Sequence, residues 1–536
     1  MERNKALAAT ISLLAATGLT ACGGGGGGGG GNGDDSATSF QKQFSESDSY
    51  DVIENPSSFN LKSTTLAVTN PDGSNIDGSL AAGMDDTDYY GAVDPDAIND
   101  PDNDADATNN AWWQGWTYRN GSVDGNFPGS SNFHPLEDEI KNSMSPDTND
   151  GSCPKGTHKG TTSAFGDSYD VCALADGDIT GSTATLNNEH IWLLTETVNI
   201  GDGGDQNNSA GTGDVVLTIE PGTMVMGASS GTVDDVALVI TRGSQIKVQG
   251  TKEQPVIMGA VDFDGTTITG DVTDLTDRGE WGGLVVDGLA TVNSAATPGN
   301  APGNGGSVAS EAVPDGKDRY FGGGTDNDNS GEIRYLIIAE SGYAFREDQE
   351  VQGLTLEGVG SGTTATDGGP FVDYLQVLGS EDDGVEWFGG TAGMNHVVIN
   401  GQDDDGLDQD LGWQGKVQYA LILMGADNGN RAMETDGNGD DFDAKPYTAP
   451  TIANLTVIGN SGGDSSDTLA HLAREGYRGN IHRTVYTDDP NNGTKFKTAC
   501  IDVDEMSGSS WLDDSPLTYE DVVFNCDNGA LADADD

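Results

Sequence analysis

The sequence predicts an all-β fold, a right-handed parallel β-helix (a solenoid) preceded by an irregular acidic N-terminal region. Three observations predict it. Apolar runs of four or five residues recur from residue 186 onward, each the length of a short strand. No amphipathic helical period lies between them, which disfavours βαβ units. In the second half the runs are spaced by roughly 20–25 residues, a repeat that suits one coil of a solenoid.

The runs are Val215–Ile219, Ala237–Ile240, Gln245–Val248, Gly283–Val286, Tyr335–Ile338, Tyr374–Leu378, His396–Ile399, Tyr419–Leu423 and Leu455–Ile458. Gly, Asp and Asn separate them, the residues that tolerate positive φ at corners. The hydrophobic fraction is only 34% and there are 79 glycines. A narrow core enclosed by short coils accounts for both. An array of antiparallel sandwiches is the competing fold, and it predicts hairpin turns instead of coil-length repeats.

The N-terminus predicts export. Arg3 and Lys5 precede the apolar run Ala6 to Leu19, which is shorter than the ~20 residues needed to span a bilayer and suits a signal-peptide core. Leu19-Thr20-Ala21-Cys22-Gly23 resembles a bacterial lipobox. The resemblance implies cleavage before Cys22, acylation of that residue and, with Gly23 following, anchoring in the outer membrane. Two or three acyl chains on one residue hold a protein stably to a bilayer. Expected segments are a signal peptide over 1–21, the lipidated Cys22 and Gly-rich tether over 22–45, and an acidic irregular region over 46–150. A disulfide-linked cap over 151–185, the β-helix over 186–526 and an acidic tail over 527–536 complete the chain.

Lys and Arg number 24 against 88 Asp and Glu, a formal net charge of −64. That balance excludes nucleic acid and anionic lipid head groups as partners and favours cations. Besides Cys22, the cysteines form two close pairs, Cys153 with Cys172 and Cys500 with Cys526. Even, local pairing suits disulfides in an oxidising compartment. A site of four thiolates is the rival, though neither pair has the short spacing of a zinc motif.

Several motifs carry a resemblance: Cys153-Pro154-Lys155-Gly156-Thr157 through Cys172, Leu217-Thr218-Ile219-Glu220-Pro221-Gly222-Thr223, Trp281-Gly282-Gly283-Leu284-Val285-Val286, and Asp382-Asp383-Gly384-Val385-Glu386-Trp387-Phe388-Gly389-Gly390. Together they resemble a group of β-helix surface lipoproteins from Gram-negative, often marine, bacteria. The resemblance covers roughly residues 150 to 526; it implies the fold and brings no activity with it.

The chemistry concentrates at 380–443. Val385, Leu407 and Met433 form an apolar register spaced by 22 and then 26 residues. In that register Glu386, Asp408 and Glu434 would stack, one per coil, at ~4.8 Å. Like charges so close need a cation, a proton or an Arg between them. The expectation is bound Ca2+, with Asp383, Asp405 and Asp436 as further ligands and Arg431 as counter-charge. The alternative is that the carboxylates face water. A second candidate, Asp326, Asp328 and Ser330, matches the first half of a calcium loop, but Ile337 stands where a bidentate Glu is needed. The alternative there is an Asx-type turn. Asp436, Asn438 and Asp440 are a weaker third. The alternation Asp94, Asp96, Asp100, Asp102, Asp104, Asp106 reads as a solvated linker or a calcium-ordered loop.

Trp112, Trp113 and Trp116 could stack on sugar rings or cover the end of a core. Enzyme motifs are thin. Gly227-Ala228-Ser229-Ser230-Gly231 has no helix pattern behind it and so does not suit a nucleophile elbow. Arg431 is the one candidate base for a calcium-dependent polysaccharide lyase; Arg474, Arg478, His482 and Arg483 form the most basic patch and are the alternative contact, and the structural reading of both sets is that they pair the acidic coils. The leading expectation is a non-enzymatic, calcium-stabilised surface protein that binds a glycan or an outer-membrane partner. A lyase acting on an acidic polysaccharide and a structural coat protein are the alternatives.

Overall fold

The computed structural model describes residues 80–87, 89–92, 112–113, 116–118, 153 and most of 158–529. The signal segment, Cys22, the tether, the 94–106 alternation and the tail beyond residue 529 lie outside the described residues. The described chain is a right-handed parallel β-helix with three faces. No helix among the described residues is long and apolar enough to cross a membrane.

The first face stacks Thr183–Leu186, Val216–Ile219 and Gln245–Gln249. The second stacks Asp167–Leu174, Ile191–Leu194, Met224–Ser229 and Val256–Phe263. On the third face Val198–Ile200, Leu238–Ile240, Leu284–Asp287, Leu354–Glu357, Val385–Phe388, Leu407–Asp410, Arg431–Thr435, Leu469–Ala473 and Ile501–Val503 lie side by side. Its inward column, Leu238, Leu284, Leu354, Val385, Leu407 and Met433, is fully buried. Each such side chain contributes about 1.5–3 kcal/mol by leaving water.

From Gly331 onward the first two faces share one strand. Residues 331–334 of Gly331–Ser341 pair with Gln245–Gln249, and residues 336–338 with Val256–Phe263. Val372–Ser380, Met394–Asn400, Lys416–Leu423 and Thr451–Gly459 follow suit. The corner has shrunk to one residue in left-handed conformation: Tyr335 (φ 48°), Tyr374 (64°), His396 (54°), Tyr419 (60°) and Asn454 (52°). Strands of seven to eleven residues thus replace the expected runs of four or five. The added parts, such as Glu332-Ile333-Arg334, are too polar to register as apolar runs.

A non-glycine residue at positive φ is strained by about 1 kcal/mol or more. Here the strain is offset by stacking. Tyr335 lies 4.2 Å from Tyr374, Tyr374 4.3 Å from His396, and His396 4.9 Å from Tyr419, ring centroid to centroid, with planes within 14° of parallel. The N-terminal segment lies along this spine. Gln376 and Gln418 exchange hydrogen bonds with the main chain of Tyr118 and Asp85. Asn454 donates to the carbonyls of Tyr89 and Gly91.

This packing corrects the sugar-stacking reading of the tryptophans. Trp113 and Trp116 are 0% and 1% exposed, so neither offers a face to a ligand. Trp112 is half-buried, donates to the Ala92 carbonyl at 2.7 Å and sets its edge against Tyr374 and His396. Trp112 and Trp116 cover the spine, and Trp113 packs edge-on against Trp112.

Both cysteine pairs are disulfides, with Cα separations of 5.4 Å and 5.6 Å, which removes the four-thiolate alternative. The cap boundary moves. Cys172 sits in Asp167–Leu174, which is already parallel to Ile191–Leu194, and Thr183–Leu186 is parallel to Val216–Ile219. The solenoid therefore starts inside 151–185, because Asp167–Leu174, the second strand of the hairpin opened by His158–Ala164, is itself the first rung.

Candidate functional site

Three coils build the acidic site. Each carries a turn of the form Asp-Gly-(Val or Leu)-(Glu or Asp), or its Arg431-Ala432-Met433-Glu434 counterpart, then a strand of the third face. The glycine of the first two is required by close approach: a Cβ on Gly384 would stand 2.7 Å from the Gly406 carbonyl oxygen, and one on Gly406 2.6 Å from that of Ala432. Only glycine lets successive turns stack so tightly. The register is Val385, Leu407, Met433 inward and Glu386, Asp408, Glu434 alongside, as the 22- and 26-residue spacing predicts.

The carboxylates do not face water. Asp383, Glu386, Asp405, Asp408, Glu434 and Asp436 are all buried. Two stitches hold the turns: the Asp405 N–H donates to Asp383 Oδ1 at 2.8 Å, and the Arg431 N–H to Asp405 Oδ1 at 2.7 Å. Asp383, Glu386 and Asp408 bring ligating oxygens within 4.8 Å of one another, as do Asp405, Asp408 and Glu434, and Asp382, Asp383 and Asp404.

So much buried negative charge distorts proton affinities. Burial, reinforced by neighbouring carboxylates, pushes Asp383, Asp405 and Asp408 well above the usual carboxylate range. Burial and then Glu434 raise Asp404 to about 6. Asp436 is pushed up to about 8, burial outweighing its hydrogen bonds from Arg474. Two guanidiniums answer part of the charge. Arg431 Nη1 lies 3.0 Å from Glu434 Oε2. Arg474 pairs with Glu434 Oε1 and holds Asp436 through two bonds of 2.8 and 2.9 Å. Burial works against the charge on Arg431, yet Asp405, Glu434 and Asp404 hold its pKa above the ordinary value.

The other sequence candidates settle as follows. At 326–330, Asp326 Oδ1 accepts the Thr291 N–H, and Asp328 Oδ2 accepts from the Leu289 N–H and Ser330 Oγ. Asn329 closes an Asx turn onto the Gly331 N–H. No group of three carboxylates gathers there among the described residues; the turn ties two loops together. Asn438 accepts from the Asp440 and Asp441 N–H groups, a turn as well. The basic patch divides between structural partners. Arg478 is buried 3.4 Å above the Tyr447 ring, His482 faces Glu520, and Arg483 donates to Thr87. Ser229 Oγ donates to Glu280.

Arg474, from a coil 40 residues after Glu434, pairs the acidic coils as the structural alternative for the basic patch expects. Two features escaped the sequence reading. The aromatic spine had a signal, since an aromatic residue opens four successive apolar runs at 335, 374, 396 and 419. A buried acid pair, Asp287 beside Glu357, was hidden because each residue looks like the end of an ordinary strand. Burial raises Asp287 to about 6, against the opposing pull of Glu357, Arg319 and Arg242.

A family model described as a pectate-lyase like beta helix domain matches residues 183–531, well over half of the 536-residue chain. No curated protein and no solved structure matches the chain.

Proposed function

The chain belongs to the pectate-lyase-like β-helix family, and from that premise we propose a surface protein that binds a glycan or a partner surface without transforming it. Acylated Cys22 holds it to the outer membrane, and Ca2+ stabilises its acidic coils. One observation carries the non-catalytic part. A lyase base must reach substrate and give up its own proton first. Arg431 is buried against Glu434 and made harder to deprotonate by its neighbours; Arg474 is committed to Glu434 and Asp436. The acidic coils thus hold their cations as counter-charges.

The family description supports polysaccharide as the ligand class. The net charge of −64 favours neutral chains, or acidic chains bridged by a divalent cation. The same description supports a second reading, a calcium-dependent lyase. Incubating the protein with a panel of uronic-acid and neutral polymers in Ca2+ separates the two. The expected outcome is co-sedimentation with one or more polymers and no rise in the ultraviolet absorbance of unsaturated product. Steady product formation would establish the lyase and overturn the binding-only reading.

A further inference from the structure

We propose that the step at the amino-terminal end of the third face binds a neutral oligosaccharide, with Asp176, Asn199 and Arg319 as the recognition groups. This rests on the reading above that the chain binds a glycan, and it says where and of which class.

The step follows from the first coil. Asp167–Leu174 is a second-face strand, but the chain passes from it to Thr183–Leu186 on the first face without making a strand on the third. The third face therefore begins one coil late, at Val198–Ile200, which has a strand on one side only. The turn 175–182 stands on its other side. Asp176 Oδ1 accepts the Asn199 N–H at 2.9 Å, as the carbonyl of a neighbouring strand would. It also accepts Asn199 Nδ2 at 3.1 Å, which turns the amide oxygen towards Arg319 Nε at 2.8 Å. Arg319 comes from the 289–330 excursion, is 7% exposed, and donates through Nη1 to the Ala312 carbonyl. Carboxylate, amide and guanidinium thus form one relay whose donor and acceptor directions are set in advance.

The relay lines a cleft of about 540 Å3. That is the size of a small-molecule site and far above the ~30 Å3 share of one water. The lining suits a sugar. A sugar hydroxyl donates and accepts at once, and the carboxylates of Asp176, Asp202 and Asp214 stand here with the N–H groups of Asn199 and Arg319. Hydrogen bonds to charged partners are the strong ones. Ile179 and Val215 add apolar wall for the C–H face of a ring. Three carboxylates against one guanidinium repel a uronate. Asp214 registers that field, since burial, then Asp202 and Asp328, raise its pKa.

The test titrates the full chain calorimetrically with hexasaccharides of glucose, mannose and galactose, and with hexagalacturonate as the acidic probe. The informative variant is Asp176→Asn, which removes the charge and keeps an oxygen for the Asn199 N–H; circular dichroism checks its fold. Hydrogen exchange of the wild-type chain, with and without the sugar that binds, locates the site independently of any variant. The expected result is binding of at least one neutral hexasaccharide and none of hexagalacturonate. Affinity should be at least about tenfold weaker in D176N, and exchange should slow over 175–182 and 199–203. Binding of hexagalacturonate alone would overturn the class. Wild-type affinity in D176N, or protection confined to the acidic coils, would overturn the location and leave the glycan reading intact. A chain that binds none of the four probes would overturn the inference, and the polymer panel above then decides separately on the reading beneath it.

Discussion

One column of residues, from Asn199 to Asp502, runs in register along the outside of the third face, and two stretches of it solve burial in opposite ways. In the earlier coils it reads Val239, Val285, packed with Ala237, Ala312, Val351 and Phe345 into a small apolar cluster outside the main core. Thr355 marks the change. In the later coils the column reads Glu386, Asp408, Glu434, buried as deeply. The backbone is the same in both. The difference shows that a solenoid face leaves the chemistry of its outer column to whatever covers it. The apolar half is stabilised by transfer from water, which depends little on pH or ions. The acidic half is stabilised only as far as guanidiniums, protons or cations neutralise it.

The sharpest way to break the comparison is to put a carboxylate into the apolar half. Val285→Asp buries a charge with no guanidinium provided, and a loss of about 4 kcal/mol or more is expected in urea unfolding followed by circular dichroism. A variant as stable as wild type would mean the two halves are interchangeable. Removing the provision from the acidic half should do nearly as much. Arg474→Met leaves Asp436 and one oxygen of Glu434 buried without their partner, and about 3–5 kcal/mol should be lost. An unchanged midpoint would show that Arg431 alone suffices.

The third test sits at the boundary. Asp287 titrates near 6 in the folded chain against an ordinary 3.8. A carboxyl whose pKa rises on folding is stabilising only while protonated. Its contribution is complete below 3.8 and lost as pH climbs through about 6. Asp287→Asn should therefore melt higher than wild type at about pH 7.5, by the equivalent of up to about 3 kcal/mol, and match it near about pH 4. A difference that grows towards acid would reverse the sign and remove the acid-pair interpretation.

The fold was legible because its repeat is chemical as well as geometric. The spacing of Val385, Leu407 and Met433 specifies which residues stack, and period alone yields the register of the carboxylates beside them. What covers that column was legible only in outline. The basic patch that begins at Arg474 is expected to pair the acidic coils, but it arrives from a later coil and nothing in its own neighbourhood singles out Glu434 as the partner. The solvent-facing alternative for the ladder failed for the same reason: alternation along a strand says which side a residue takes, not whether that side is wet. The tryptophans at 112–116 could be read as a sugar platform because the spine they cover is built from single residues on separate coils.

That spine also sets where the chain can grow. The corner between the first two faces is one left-handed residue in each coil from Tyr335 to Asn454, whereas the other corners range from the short turn 381–384 to the long excursions 289–330 and 436–450. A residue added beside Tyr374 would turn every later side chain of its strand to the opposite side of the sheet. In these coils length variation, and any recognition loop that arises by it, is therefore confined to two of the three edges, whereas before Gly331 the same corner carries the turns 187–190, 220–223 and 250–255. The third is a fixed keel, and a tag or epitope meant to leave the barrel intact belongs on the other two.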